Sequence, residues 1–224
     1  MENPLLKEYY EENKRFIPVF NDFENHAIKI RPTTLKKYLN LYLCYFGTKF
    51  DKKLGEFCYF LQKHGYNYTT CNLRDMLVDR TNELYKEPFG NLLLLNKTHF
   101  LSNIDSMSGN IFQNFITWMF EKIGYNVTQN KTSHDQGADL IIQQNQDRIA
   151  IQTKRWNKKI PNKAIQAVYS GKTYYECTDA LVISNSYYTK SAKELARACN
   201  VTLWKREDLF DFFQRNKLQI INFL

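Results

Sequence analysis

The apolar residues of the first hundred positions recur every three or four residues, the spacing of one helix face. In "RPTTLKKYLNLYLCYF", Thr33 or Thr34 is a candidate N-cap for Leu35, Tyr38, Leu39, Tyr42 and Phe46. "DKKLGEFCYFLQKHG" repeats the pattern, with Asp51 as cap, Leu54, Phe57, Cys58 and Leu61 on one face, and Gly65 as stop. "NLRDMLVDRTNELY" makes a third helix through Leu73, Met76, Leu77 and Leu84. After Pro88 and Gly90, "NLLLLNKTHFL" fits either a strand pair or a short apolar helix. Three helices and a small β-wing would make a winged helix-turn-helix. A helical packing or dimerisation domain fits slightly better, because Asp75, Asp79 and Glu83 offset Arg74 and Arg80 on the third helix.

Beyond that point the period changes. "GNIFQNFITWMFEKIG" places Ile111, Phe112, Phe115, Ile116, Met119 and Ile123 on an amphipathic helix closed by Gly124. "YNVTQN" reads as a strand, and "ADLIIQQ" and "RIAIQTK" as a hairpin around the turn "NQD". "NKAIQAVYSGKTYYE" is helical, "DALVISN" a buried strand, "TKSAKELARACN" a helix capped at Thr189, "VTLWK" a strand and "REDLFDFFQRN" a helix. The order α-β-β-β-α-β-α-β-α implies an α/β fold, a mixed sheet with helices on both faces. The polar stretch "NKTHFLSNIDSMSGN", residues 96–110, reads as a linker. It would separate a helical domain over 1–100 from an α/β domain over 107–224.

Charge sharpens this division. Residues 1–106 carry 15 basic and 13 acidic side chains, whereas residues 107–224 carry 16 and 10. Most of the net charge of +8 therefore belongs to the α/β part, which raises the case for a polyanionic partner there. The five cysteines are widely spaced and form no zinc-ligand pattern, as expected of reduced thiols. The N-terminus lacks a signal-peptide pattern, and no stretch approaches the roughly 20 apolar residues of a membrane helix. The expectation is an intracellular protein, in the cytoplasm or on the nucleoid, with no membrane contact.

The candidate chemistry lies in the hairpin. Gln152 and Lys154 project from one strand face, Ile151 and Thr153 from the other. Asp139 begins the preceding strand, so the turn brings it beside the end of its neighbour. One carboxylate, one amide oxygen and one ammonium then converge at a sheet edge. Asp139, Gln152 and a backbone carbonyl offer oxygen ligands to a hard divalent cation, which would polarise a phosphate and acidify a water. Lys154 would hold that water or steady the charge developing on phosphorus. Without such a role, Asp139 is a strand start and Lys154 a solvated strand end.

The residues Gly109, Phe112, Gly124-Tyr125, "DQGADL" at 135–140 and "QTKRW" at 152–156 together resemble the Mrr-type catalytic domain of the PD-(D/E)xK, restriction-endonuclease-like nucleases. The likeness continues through Gly171, "ALVISNSYYTKSAKELA" and "VTLW", covering roughly residues 107–215. It implies an α/β/α core and Mg2+-dependent cleavage of DNA, with Mn2+ as a substitute, in restriction of foreign DNA. By position Asp139 becomes the metal-binding aspartate, Gln152 stands where the superfamily usually has glutamate, and Lys154 is the catalytic lysine. Gln152 is common in this branch. Gln113 departs further, because the family's first helix usually carries an acid there; Asp135 is a possible substitute, or simply shapes the turn at Gly137.

Five of the ten residues in "KRWNKKIPNK" are basic, and Trp156 sits among them. Arg155, Lys158, Lys159 and Lys163 are candidate backbone contacts, and Trp156 a candidate stacking group. The plain alternative is a solubilised loop packed over Trp156. Lys131 and His134 are weaker candidates to touch a phosphate, with His134 a remote candidate for a general base, and Gln166, one turn into the next helix, would either face the site or simply be polar surface. Cutting both strands needs two sites and hence a homodimer. Two other readings stand beside the nuclease: a non-catalytic DNA-binding protein on the same scaffold, and a structure-selective repair nuclease or junction resolvase.

Overall fold

The computed structural model describes residues 20–30, 32–130 and 136–223. Lys131, His134 and Asp135 lie outside the described residues. The chain divides into two compact units, meeting in sequence between Thr98 and His99.

The first unit is helical. Helices α1 (Phe20–Ile30), α2 (Leu35–Phe46), α3 (Leu54–Lys63) and α4 (Thr70–Tyr85) are joined by turns and by 3-10 segments at Gly47–Lys53 and Gly90–Leu94. Thr34 caps α2 by accepting from the Lys37 amide, and Thr69 caps α4 by accepting from the Asn72 amide. Aromatic rings build the core: Tyr42 stacks on Phe57 with centroids 4.1 Å apart, and Phe23 meets both edge-on. The Tyr42 hydroxyl finds an acceptor in the Phe50 carbonyl at 2.7 Å, so its polar end is satisfied inside that core.

One sequence expectation changes here, and two alternatives narrow. Asp51 does not cap α3, which starts only at Leu54; its carboxylate instead accepts from Arg74 Nε at 3.0 Å. No strand occurs among the described residues up to Thr98, so the wing of a winged helix is missing there. The apolar run Leu92–Leu94 forms a buried 3-10 turn, because all three side chains find cover at once. On α4, the helix that would have read DNA, Arg80 is buried and donates to Asn40 and Glu83.

The second unit begins within α5 (Lys97–Ser106) and continues with α6 (Gly109–Lys122). Residues 96–110 are thus mostly helix rather than linker. Their polarity hides a two-residue apolar stripe, Phe100 and Ile104, one turn apart and both fully buried. The Phe100 ring packs on Phe115, Phe210 and Phe213, with centroids 5.9, 5.3 and 4.9 Å away. Ile111, placed by periodicity on the apolar face of α6, is about half exposed, whereas Phe112, Phe115, Ile116 and Met119 are buried.

The sheet runs in chain order: β1 (Asn126–Gln129), β2 (Leu140–Gln144), β3 (Asp147–Lys154), β4 (Asp179–Ser184) and β5 (Thr202–Trp204). The first three strands are antiparallel and the last two join in parallel, with Lys154 opposite Ser184. Parallel neighbours require crossovers, supplied by α7 (Asn162–Tyr174) between β3 and β4 and α8 (Lys190–Ala198) between β4 and β5. These two helices cover one face through Ala164, Ile165, Val168, Ala192 and Ala196, packed on Ala150 and Val182. Helices α6 and α9 (Arg206–Phe223) also pack on the sheet, α6 on β1 and β3, α9 on β4 and β5. The mixed five-stranded sheet flanked by helices is the α/β class expected from the alternation. Among the described residues no helix is long and apolar enough to cross a membrane.

Candidate active site

The edge where β2 begins and β3 ends is held by close backbone approach. Gly137 has φ +96°, and a Cβ there would lie 2.1 Å from the Ala167 carbonyl oxygen of α7. Gly171, one turn further along α7, would place a Cβ 2.8 Å from that of Ala138. Two glycines therefore let the helix lie against the loop that delivers Asp139. From the other side, the end of β1 grips the same loop. The Asn130 side chain donates to the Ala138 carbonyl at 2.7 Å and its amide to the Asp139 carbonyl at 2.9 Å.

Asp139 then meets β3. Its Oδ2 accepts from both the amide and the hydroxyl of Thr153, at 2.7 and 2.8 Å. Lys154 Nζ stands 3.9 Å from the same oxygen, an ion pair longer than a hydrogen bond. The carboxylate is largely buried and the lysine about one-third exposed. Two bonds leave lone pairs on a carboxylate, which has about four acceptor sites. Asp139 is thereby oriented by the protein and still able to bind something else.

Gln152 is only 3% exposed, and its Nε2 has no hydrogen-bond partner among the described residues. A buried amide left unpaired costs about 1–3 kcal/mol. It shares the strand parity of Ala150 and so lies on the face covered by α7 and α8. Turning the carboxamide over would present its oxygen, the atom a hard cation needs, at the same unsatisfied position. The donor set fits one divalent ion of the magnesium type, which takes one or two protein oxygens and fills its shell with water and phosphate. Among the described residues there is no cluster of three or more His, Cys, Asp or Glu side chains.

The sequence-derived residues thus occupy distinct positions. Asp139 and Lys154 come together, and Gln152 lies two residues before Lys154 at the same end of β3. Gln113 is half-buried in α6, and no hydrogen bond among the described residues ties it to those three. Lys158, Lys159, Lys163 and Gln166 are exposed, and Trp156 is 45% exposed. Arg155 is turned inward: one guanidinium nitrogen donates to Asn157 Oδ1 at 2.7 Å and another to the Asp105 carbonyl. Thr153 was missed by strand alternation, which assigns it to the face opposite Gln152. Asp139 precedes the first β2–β3 ladder pair, Leu140 with Ile151, so alternation does not constrain where its carboxylate reaches. Asp105 and Asn185, which bracket the segment after Lys154, carried no signal in the sequence either.

Residues 104–213 match the family model for the Mrr catalytic domain, described as a restriction endonuclease. No curated protein and no solved structure matches the chain.

Proposed function

Through residues 104–213 the chain belongs to the Mrr-type restriction endonuclease family, a nuclease family whose substrate is DNA, and from that premise we propose that it is a divalent-metal-dependent endodeoxyribonuclease acting at Asp139, Gln152 and Lys154. The observation that carries the reading is the Asp139 carboxylate, fixed by two Thr153 donors and paired at 3.9 Å with a partly exposed lysine. Asp139 and the Gln152 amide oxygen would hold Mg2+, or Mn2+ in its place. Bound there, the ion would polarise the scissile phosphate and lower the pKa of a water. Lys154 supplies a partly exposed ammonium that would donate to the attacking water or to a non-bridging phosphate oxygen as charge builds there. Thr153 keeps Asp139 from rotating onto Lys154, and the buried surroundings of Gln152 exclude bulk water from that side.

The exposed Lys158, Lys159 and Lys163 lie directly beyond this strand end and suit the phosphate backbone of DNA. Trp156 offers a ring to a base. Cleavage of both strands would need two sites, hence a homodimer, and the biological role would be restriction of foreign DNA. Purified protein should cut plasmid DNA with Mg2+ or Mn2+ and not with EDTA. Asp139→Ala and Lys154→Ala should each abolish cutting while binding persists. Cleavage surviving in either variant would place the chemistry elsewhere.

One observation favours a second reading. Asp139 is the single acid of the trio, and Gln113 is neutral where the first helix of the resembled family usually carries an acid. A scaffold that binds DNA without cutting it would show salt-sensitive binding indifferent to divalent ions. Comparing linear, branched and modified duplexes would separate restriction from structure-selective repair.

A further inference from the structure

The lysine of the site sits on the last residue of β3, where the parallel ladder with β4 ends at Ser184. Beyond it the backbone leaves the ladder, yet the residues that follow are held. The Ser184 hydroxyl donates to the Lys154 carbonyl at 2.7 Å. The Trp156 amide donates to Asn185 Oδ1 at 2.7 Å, and Asn185 is 3% exposed. Its Nδ2 donates in turn to Asp105 Oδ1 at 2.8 Å. Asp105 Oδ2 accepts from Arg206 at 2.8 Å, and the Asp105 carbonyl accepts from Arg155. One acid from α5 therefore gathers three segments that are 50, 80 and 101 residues away in sequence.

Helix stability does not explain these placements. Asp105 stands in the last turn of α5, where the dipole disfavours an anion, and Arg206 opens α9, where it disfavours a cation. Each charge is in the wrong position for its own helix and in the right one for the other. Arg155, in contrast, meets the end of α5 with the favourable sign. The buried Asn185 has both ends of its amide used, one by Asp105 and one by the Lys154–Trp156 backbone. Replacement by apolar residues would fill the same space without fixing that backbone.

We propose that Asp105 is a positioning residue for the nuclease site: acting through Asn185, its carboxylate fixes the backbone on the C-terminal side of Lys154 and so sets where the ammonium stands relative to Asp139. The inference rests on the nuclease reading above for its consequence, but not for its geometry. A misplacement on the order of 1 Å at a reacting group costs roughly a hundredfold in rate. Asp105→Ala should lower kcat by about that factor, and KM should rise with it, because Trp156, Lys158 and Lys159 lie on the same segment. The near-isosteric Asp105→Asn can accept from only one of Asn185 and Arg206, and should lose roughly tenfold without unfolding.

The sharper test is an exchange. Asn185→Asp alone sets two carboxylates against each other; the double variant D105N/N185D restores a donor and acceptor to the pair, still accepts from the Trp156 amide, and should regain at least about tenfold in kcat over N185D. Amide hydrogen exchange of the 154–160 segment, read by mass spectrometry, should quicken in D105N and slow again in the exchanged pair. Wild-type kcat and unchanged exchange in D105N would overturn the proposal. So would a loss confined to KM, or an exchanged pair no better than N185D. A wild-type protein that cuts no DNA with any divalent ion would sink the nuclease reading alone, and the exchange rates would still decide whether Asp105 holds the segment.

Discussion

Thr153→Val isolates the support of Asp139 from everything else at the site. Valine has nearly the same shape, stays in β3 and keeps the backbone amide bond of 2.7 Å, so only the hydroxyl donor at 2.8 Å is removed. A hydrogen bond to a charged group contributes about 1.5–3 kcal/mol. Asp139 remains 13% exposed, and water can replace part of that. The expected loss of stability is therefore near the lower end, about 1–2 kcal/mol, or a few degrees in Tm for a domain of this size. The effect on function should be larger. Partners that orient a metal ligand typically contribute about 10- to 100-fold in metal affinity or activity. Titrating Mg2+ in a plasmid-cleavage assay should show the half-saturating concentration rising roughly tenfold or more. Thr153→Ser, which keeps the donor, should stay close to the original. If Thr153→Val lowers Tm while the Mg2+ dependence is unmoved, Asp139 is not the residue that holds the ion.

Three further outcomes follow from the packing and the surface. Phe100→Ala removes a fully buried ring from the Phe115, Phe210 and Phe213 cluster and should destabilise the second unit by about 3–5 kcal/mol in urea unfolding; a change under about 1 kcal/mol would mean that α5 is not integral to that core. Gly171→Ala drives a methyl group to 2.9 Å from the Ala138 amide nitrogen, so either α7 or the loop carrying Asp139 must move. It should cost about 1–3 kcal/mol and lower cleavage more than a remote substitution of equal cost, measured by melting and turnover together. Neutralising Lys158, Lys159 and Lys163 should weaken DNA binding at low salt and flatten the slope of log Kd against log salt by about 0.9 for each phosphate no longer neutralised. An unchanged slope would mean that those side chains only solubilise the loop.

The order of elements in the α/β part was legible because each apolar segment there is long enough to show its period. Ile111, Phe112, Phe115, Ile116 and Met119 announce a helix even though one of them is exposed. Strand alternation also brought Gln152 and Lys154 together. The failures share a cause: short segments whose decisive partners are distant in sequence. Phe100 and Ile104 make too brief a stripe to outweigh the polar residues around them, so α5 resembles a linker, and the rings that cover Phe100 lie on α6 and α9. Asp51 looked like a helix cap by proximity, but Arg74, 23 positions away, claimed its carboxylate. Arg155 looked like a DNA contact for its neighbours' charge, and its guanidinium is taken by Asp105, 50 residues earlier. Periodicity carries no information about such pairings.

The same dependence on distant neighbours accounts for a glutamine in the place of the usual acid. Position 152 is almost wholly buried, on the sheet face covered by α7, and Asp139 stands just before the start of the neighbouring strand. A glutamate there would put a second negative charge in a desolvated position, which is expensive unless it is paired. The adjacent cation, Lys154, is already shared with Asp139 at 3.9 Å. Two like charges about 4 Å apart repel by about 4 kcal/mol at a dielectric typical of protein surfaces, and a phosphate arriving at the site would meet the same repulsion. With glutamine, Asp139 and Lys154 balance, and the trio carries no net charge before substrate arrives. On the proposed mechanism the ion and the phosphate would then neutralise each other at the site, with the Gln152 amide oxygen as one of the ion's ligands.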